Sequence, residues 1–299
     1  MKVYFLIFLG LFFFNSCVKE EVIKIKEHPS LVVVNSLINS DSSINVFLSK
    51  TISLNQSQLP EISNAKILLY EDDVFIKELV SLGHGNYSSQ NKVKINSNYK
   101  IIINSDNQKI EANTDIPSKP NFDIVSIKDS VGINEYGEYY NRAIIRINDN
   151  LNENNYYELI FKSISISPFD KYDTTICYSL IHSDDIVIKN EAIFDLREYL
   201  NFSDSLFNGQ SKQFSVDYYQ GINYNYNYNG ILPYGTYKFL IILNSTTKEY
   251  YKYKKALYLH NLNSEGGIWS NDPTELYSNI KGGLGIFAGY ATTISDTIK

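Results

Sequence analysis

Cys17 stands where a thiol would have something specific to do. It follows an unbroken apolar run, Val3 to Phe14 (VYFLIFLGLFFF), which Met1-Lys2 opens with a positive charge and polar Asn15-Ser16 close. A sulfur nucleophile directly after an apolar core, with a small residue before it, is what diacylglyceryl transfer and cleavage ahead of the modified cysteine require. The other cysteine, Cys177, lies between Ile176 and Tyr178 and reads as a small buried hydrophobe. With Cys17 acylated, no intramolecular disulfide can form. A second unusual feature is the ribbon Tyr218-Tyr219-Gln220-Gly221-Ile222-Asn223-Tyr224-Asn225-Tyr226-Asn227-Tyr228-Asn229-Gly230. Extended, it places Tyr224, Tyr226 and Tyr228 on one face and asparagines on the other. Tyrosine is a rigid amphipathic contact residue, so Tyr218, Tyr219, Tyr224, Tyr226 and Tyr228 are candidate binding residues for sugar rings or a partner. The alternative is a hairpin or loop packing its tyrosines on its own domain.

Catalytic and metal-binding patterns do not emerge. His28, His84, His182 and His260 are scattered, and no His-Glu-x-x-His or Cys-His metal spacing occurs. There is no G-x-S-x-G elbow. Gly282-Gly283-Leu284-Gly285 lacks the following Lys-Ser/Thr of a phosphate loop and reads as a tight turn into a last strand. His182-Ser183-Asp184-Asp185 lacks the ligand spacing of a calcium loop and reads as a solvated acidic loop. Hence no metal or cofactor is expected, and the chain is not expected to be an enzyme. The net charge of −6 and pI near 5.3 argue against a nucleic-acid partner, because phosphate binding needs a concentrated basic face.

The elements that must carry these residues follow from the pattern. The apolar run is shorter than the ~20 residues of a spanning helix and has the length of a signal-peptide core. Phe14-Asn15-Ser16-Cys17 resembles a lipobox, with Phe in place of the usual aliphatic residue. Residues 1–16 are therefore expected to be a lipoprotein signal peptide. Residues 17–30 are the lipidated tether, charged and ending near Pro29. Residues 31–117 contain short β-branched and aromatic runs: 31–38, 44–52, 65–71, 74–82, 99–104 and 109–116. In the second of these Ile44, Val46 and Leu48 alternate with Asn45, Phe47 and Ser49. Asp72-Asp73 and Gly83-His84-Gly85-Asn86 supply turns. This spacing predicts an immunoglobulin-like β-sandwich, ended by Pro117 and Pro120. Residues 118–299 are expected to form a larger β-rich domain. Its strands fall near 122–129, 139–148, 156–166, 212–219 and 236–244. It also carries a short helix over 190–200 and another capped by Ser245 or Thr246. The fold class is mainly β with one or two helices.

Two segments bring a resemblance. Phe202-Ser203-Asp204-Ser205-Leu206-Phe207-Asn208-Gly209 and the tail Leu276 to Tyr290 (LYSNIKGGLGIFAGY) are similar to a Bacteroidota lipoprotein family, domain of unknown function 4249. The LVVVNSLI strand and the tyrosine-rich helix fit as well. Lys19-Glu20-Glu21, which follow the cysteine after Val18, resemble the surface-export signal of lipoproteins from that phylum. The resemblance implies a lipid-anchored outer-membrane protein, facing the cell surface and found beside a TonB-dependent transporter. It implies no catalytic residues. A surface adhesin or glycan-binding module, and an envelope hydrolase, stand as alternatives.

Overall fold

Alternation of apolar and polar residues gives the first two strands a dry face and a wet one. In β1 (Val32–Asn39) and β2 (Ser43–Lys50), Val32, Val34, Ile38, Ile44, Val46 and Leu48 are at most 1% exposed. The computed structural model describes residues 29–52, 58–105, 108–134, 137–151, 153–166, 174–191, 197–219, 226–227, 230–231, 236–265 and 275–295. Among these the fold is mainly β with two helices, and no helix is long and apolar enough to cross a membrane.

Opposite β1 and β2 lies a four-stranded antiparallel sheet: β3 (Lys66–Glu71), β4 (Val74–Glu78), β7 (Asn98–Ser105) and β8 (Gln108–Asp115), in the order β4-β3-β7-β8. The Asp72-Asp73 turn joining β3 to β4 holds both residues at positive φ, 50° and 63°, the signature of a hairpin matched to strand twist. The run 74–82 is expected as one strand, but the structure divides it. Leu79 turns into the core, and its N–H donates to the Ile67 carbonyl at 2.9 Å. Beyond it β5 (Val80–Gly83) pairs with β6 (Asn86–Lys92) in the other sheet. One core of Val, Ile, Leu and Tyr side chains fills the space between the two sheets.

That core is not closed by the N-terminal region alone. The last strand, β19 (Leu284–Ile294), runs parallel to β1, with Val33 beside Leu284 and Asn39 beside Tyr290. Phe287 of β19 and Ile280 before it complete the first core. The expected turn at Gly282-Gly283 is present, with Gly282 at φ +82°. Gly285 is at φ +109°, and a Cβ there would stand 2.0 Å from the Val34 carbonyl oxygen. Glycine thus lets β19 lie against β1.

The same sheet continues through β18 (Thr236–Thr246), antiparallel to β19, to β11 (Tyr156–Ile166), whose far edge carries β12 (Thr174–Tyr178) and β14 (Tyr199–Ser203). A sheet in the order β13-β15-β10-β9 packs against this half. It comprises β9 (Asn121–Ile133), β10 (Tyr139–Asn148), β13 (Leu180–His182) and β15 (Ser211–Tyr219). Phe161, Phe202, Phe207, Phe214 and Tyr218 dominate the second core. Among the described residues the short β16 (Tyr226–Asn227) and β17 (Gly230–Ile231) pair with each other as a two-stranded sheet.

Both helices depart from their expected limits. The first, α1 (Ile186–Glu191), starts where Asp185 accepts the Val187 N–H at 2.9 Å. The expected 190–200 helix is therefore not what the described residues form: Asn190 and Glu191 end α1, and Tyr199-Leu200 belong to β14, held by β11. The second, α2 (Lys248–Glu265), is capped by Thr247, because Ser245 and Thr246 are still paired in β18.

Candidate functional site

A glutamate in the middle of an apolar strand must find partners or cost several kcal/mol. Glu158 of β11, within Tyr-Tyr-Glu-Leu-Ile-Phe, is 1% exposed and lies under α2. Its Oε2 accepts hydrogen bonds from the Tyr250 hydroxyl and from Asn244 Nδ2, each at 2.8 Å. Its Oε1 meets the Lys254 ammonium at 3.1 Å as an ion pair, off hydrogen-bond alignment. Lys254 also stands 4.4 Å from the centre of the Tyr199 ring.

One residue along the helix the pattern recurs. Glu191, at the end of α1, accepts from Tyr251 and from Ser203 Oγ (2.9 Å) and pairs with Lys255 at 3.1 Å. The helix thus offers Tyr250-Tyr251 and, one turn later, Lys254-Lys255, each phenol and ammonium four residues apart sharing one carboxylate. Burial drives the Tyr250 hydroxyl well above the ordinary phenol range, and the Glu158 charge adds to it. At Lys254 burial opposes the charge, but the Glu158 carboxylate together with the Tyr199 and Tyr290 hydroxyls outweighs it and raises the ammonium's pKa. At Glu191 burial pushes upward, while Tyr251, Ser203 and Lys255 together hold the carboxyl below its usual value. No substrate atom can reach Glu158 while α2 is in place, so the pair acts as a latch between helix and sheet.

The latch connects to the surface. Asn244 Oδ1 accepts from Thr292 Oγ1, and Thr292 Oγ1 accepts from Asn39 Nδ2, both at 2.8 Å. Asn39 and Thr292 line a depression of about 630 Å³ with Asp41, Ser42, Lys119 and Tyr290. Lys119 pairs with Asp41 at 2.9 Å on its rim. Hydrogen bonds therefore run unbroken from an open cleft at the end of β1 to the buried carboxylate. A second depression, about 550 Å³, is lined by Asp72, Asp73, Asn98, Lys100, Glu111 and Lys281.

Most residues singled out from the sequence lie elsewhere. Cys17, Lys19, Glu20, Glu21, Tyr224 and Tyr228 fall outside the described residues, and Tyr226 contributes only its backbone, in β16. Tyr218 is 3% exposed, its ring 4.9 Å from Phe239 and 5.2 Å from Phe161. Core packing occupies that ring, which corrects the expectation that Tyr218 offers itself to a ligand. Tyr219 is half-buried beside Tyr140. In the acidic loop, Asp184 pairs with Lys189 at 2.6 Å and Asp185 with Lys212 at 2.9 Å. Among the described residues no group of three or more His, Cys, Asp or Glu is placed to hold a metal ion.

Glu158 and Glu191 do not stand out in the sequence. The available signals were a charge inside an apolar strand and a Tyr-Tyr…Lys-Lys repeat at one helical turn. A family model described as Domain of unknown function (DUF4249) matches residues 19–295. Neither a curated protein nor a solved structure matches the chain.

Proposed function

The chain belongs to the DUF4249 family, and from that membership together with its leader we infer a lipid-anchored outer-membrane lipoprotein that serves a TonB-dependent transporter. It is carried on Cys17, displayed at the cell surface through Lys19-Glu20-Glu21, and assists capture or uptake of the transporter's substrate. The apolar run from Val3 to Phe14, followed by Asn15-Ser16-Cys17, is the observation that carries this reading. Two or three acyl chains, at about 0.8 kcal/mol per buried methylene, would make release into water negligible.

The way β1 is built in supports it. The strand that follows the tether is hydrogen-bonded on both sides, to β2 and to β19. A lipid on the tether would therefore hold the long sheet rather than a peelable edge. Gentle solubilisation of native outer membranes and capture of this chain should bring down a TonB-dependent barrel. Recovery of the chain alone at native expression would count against the partnership. Processing and membrane retention of a Cys17→Ser variant would count against the anchor.

The adhesin or glycan-binding reading draws on the tyrosine ribbon. Tyr226-Asn227 pair antiparallel with Gly230-Ile231, so the chain reverses within the ribbon. Replacing Tyr224, Tyr226 and Tyr228 together by Ala should then abolish binding to a glycan array while leaving the melting temperature unchanged. Unaltered binding would remove this reading.

A further inference from the structure

The body meets its tether at one end of the long sheet, where a group of exposed aliphatic side chains stands beside the His84–Glu61 ion pair at the hairpin tip. β1 begins there after Pro29–Leu31, and the parallel β19 begins beside it, with Leu284 next to Val33. The antiparallel β2 finishes there: the Thr51 N–H donates to the Leu31 carbonyl and the Lys50 N–H to that of Pro60, both at 2.9 Å. The tip of the β5–β6 hairpin is drawn to the same end by the Leu48 N–H bonding the Gly85 carbonyl at 2.8 Å. Around these strand ends Leu31, Ile52, Leu59, Leu82 and Leu284 are 38%, 43%, 49%, 61% and 41% exposed.

We propose that this end is a membrane foot, whose aliphatic side chains rest in the headgroup–acyl boundary of the bilayer that holds Cys17. The proposal rests on the lipid-anchor reading and adds which face of the body the lipid surface covers. Another apolar strip, Val74, Phe75 and Ile76 on the free edge of β4, is as exposed, yet nothing leads from it to a partner. At the foot the covalent chain itself leads to lipid, since Leu31 is reached from Cys17 through residues 18–30. That stretch extends at most roughly 50 Å, so contact is permitted without being forced. Once the acyl chains are inserted, docking is intramolecular, at an effective concentration of order millimolar, where a few leucines suffice. The foot also orients the molecule. β1 rises about 3.3 Å per residue, so Asn39 and its depression stand roughly 23 Å above the foot and face away from the bilayer.

The test uses the full-length acylated protein in phosphatidylethanolamine–phosphatidylglycerol vesicles. Cys177→Ser removes the second cysteine of the sequence, and one new cysteine carries an environment-sensitive fluorophore. Leu59→Cys and Leu284→Cys report on the foot, and Leu180→Cys, also exposed, reports on β13. Lipid bearing a nitroxide near the headgroup should quench both foot probes several-fold more than the β13 probe. Equal quenching at all three sites, in protein that floats with the vesicles and carries acyl chains on Cys17, overturns the foot and leaves the anchor intact. Protein that does not float and shows an unmodified Cys17 by mass spectrometry removes the anchor reading, and the foot falls with it. Unchanged circular dichroism and melting temperature confirm that each labelled variant is folded.

Discussion

Removing the charge of Glu158 tests the latch between α2 and the sheet. Glu158→Gln keeps a carbonyl oxygen for Asn244 and Tyr250 but leaves the Lys254 ammonium without its counter-charge. Stranding one member of a buried pair costs about 3–5 kcal/mol. The Lys254 side chain is 21% exposed, which lets water relieve part of that, so about 2–3 kcal/mol is expected. Lys254→Met leaves a carboxylate with two hydrogen bonds and no cation, at about 3 kcal/mol. Glu158→Gln/Lys254→Met removes both charges and retains the acceptor. It should lie within about 1 kcal/mol of the parent, because a neutral replacement of a buried pair is often harmless. Urea midpoints of the four proteins close the cycle, with a coupling of about 4 kcal/mol. In thermal melts each kilocalorie corresponds to roughly 2–4 °C for a chain of this size. Amide hydrogen exchange should localise the loss to α2 in the single variants. Additive single effects, or a Glu158→Gln protein within about 0.5 kcal/mol of the parent, would refute the argument.

Gly285→Ala places a Cβ 2.0 Å from the Val34 carbonyl at φ +109° and should cost at least about 3 kcal/mol, read as a lower urea midpoint; a normal midpoint contradicts the tight β1–β19 approach. Tyr218→Ala should lower stability by about 3–5 kcal/mol through the cavity it opens between Phe161 and Phe239, measured in the same way. Tyr157 and Tyr250 both have hydroxyls raised above the ordinary phenol range, chiefly by burial. Since the unfolded chain ionises first, their contribution is whole below about pH 10 and is lost as pH climbs above it, at roughly 1.4 kcal/mol per unit for each. Tyr251 and other partly buried tyrosines are raised as well, so Tyr250→Phe should make the alkaline fall of the melting temperature shallower by one tyrosine's share, and an unchanged slope would show that other groups set it.

Strands whose inward residues are largely apolar are legible in the sequence: 139–148 and 156–166 match β10 and β11 at both ends. β6 is not, because Asn86–Lys92 reads as polar loop and its place depends on Tyr87, whose hydroxyl donates to the Ile62 carbonyl at 2.9 Å. The family is legible too, from the Phe202–Gly209 and Leu276–Tyr290 segments, and the match over residues 19–295 bears it out. Glu158 and Glu191 stay hidden, since a carboxylate in sequence does not disclose whether it faces water or a lysine on a distant helix.

Local preference is written into neighbouring residues, so alternation, turn chemistry and the apolar run before Cys17 can be read from the chain alone. Which strands become partners is not. β1 meets β19 only because Val32, Val34 and Ile38 of the one and Phe287 of the other share one dry interior, and burial rewards that pairing wherever the residues stand in the chain. The same packing decides that Tyr218 is core, that Leu79 changes sheets, and that α2 settles over two carboxylates it must neutralise.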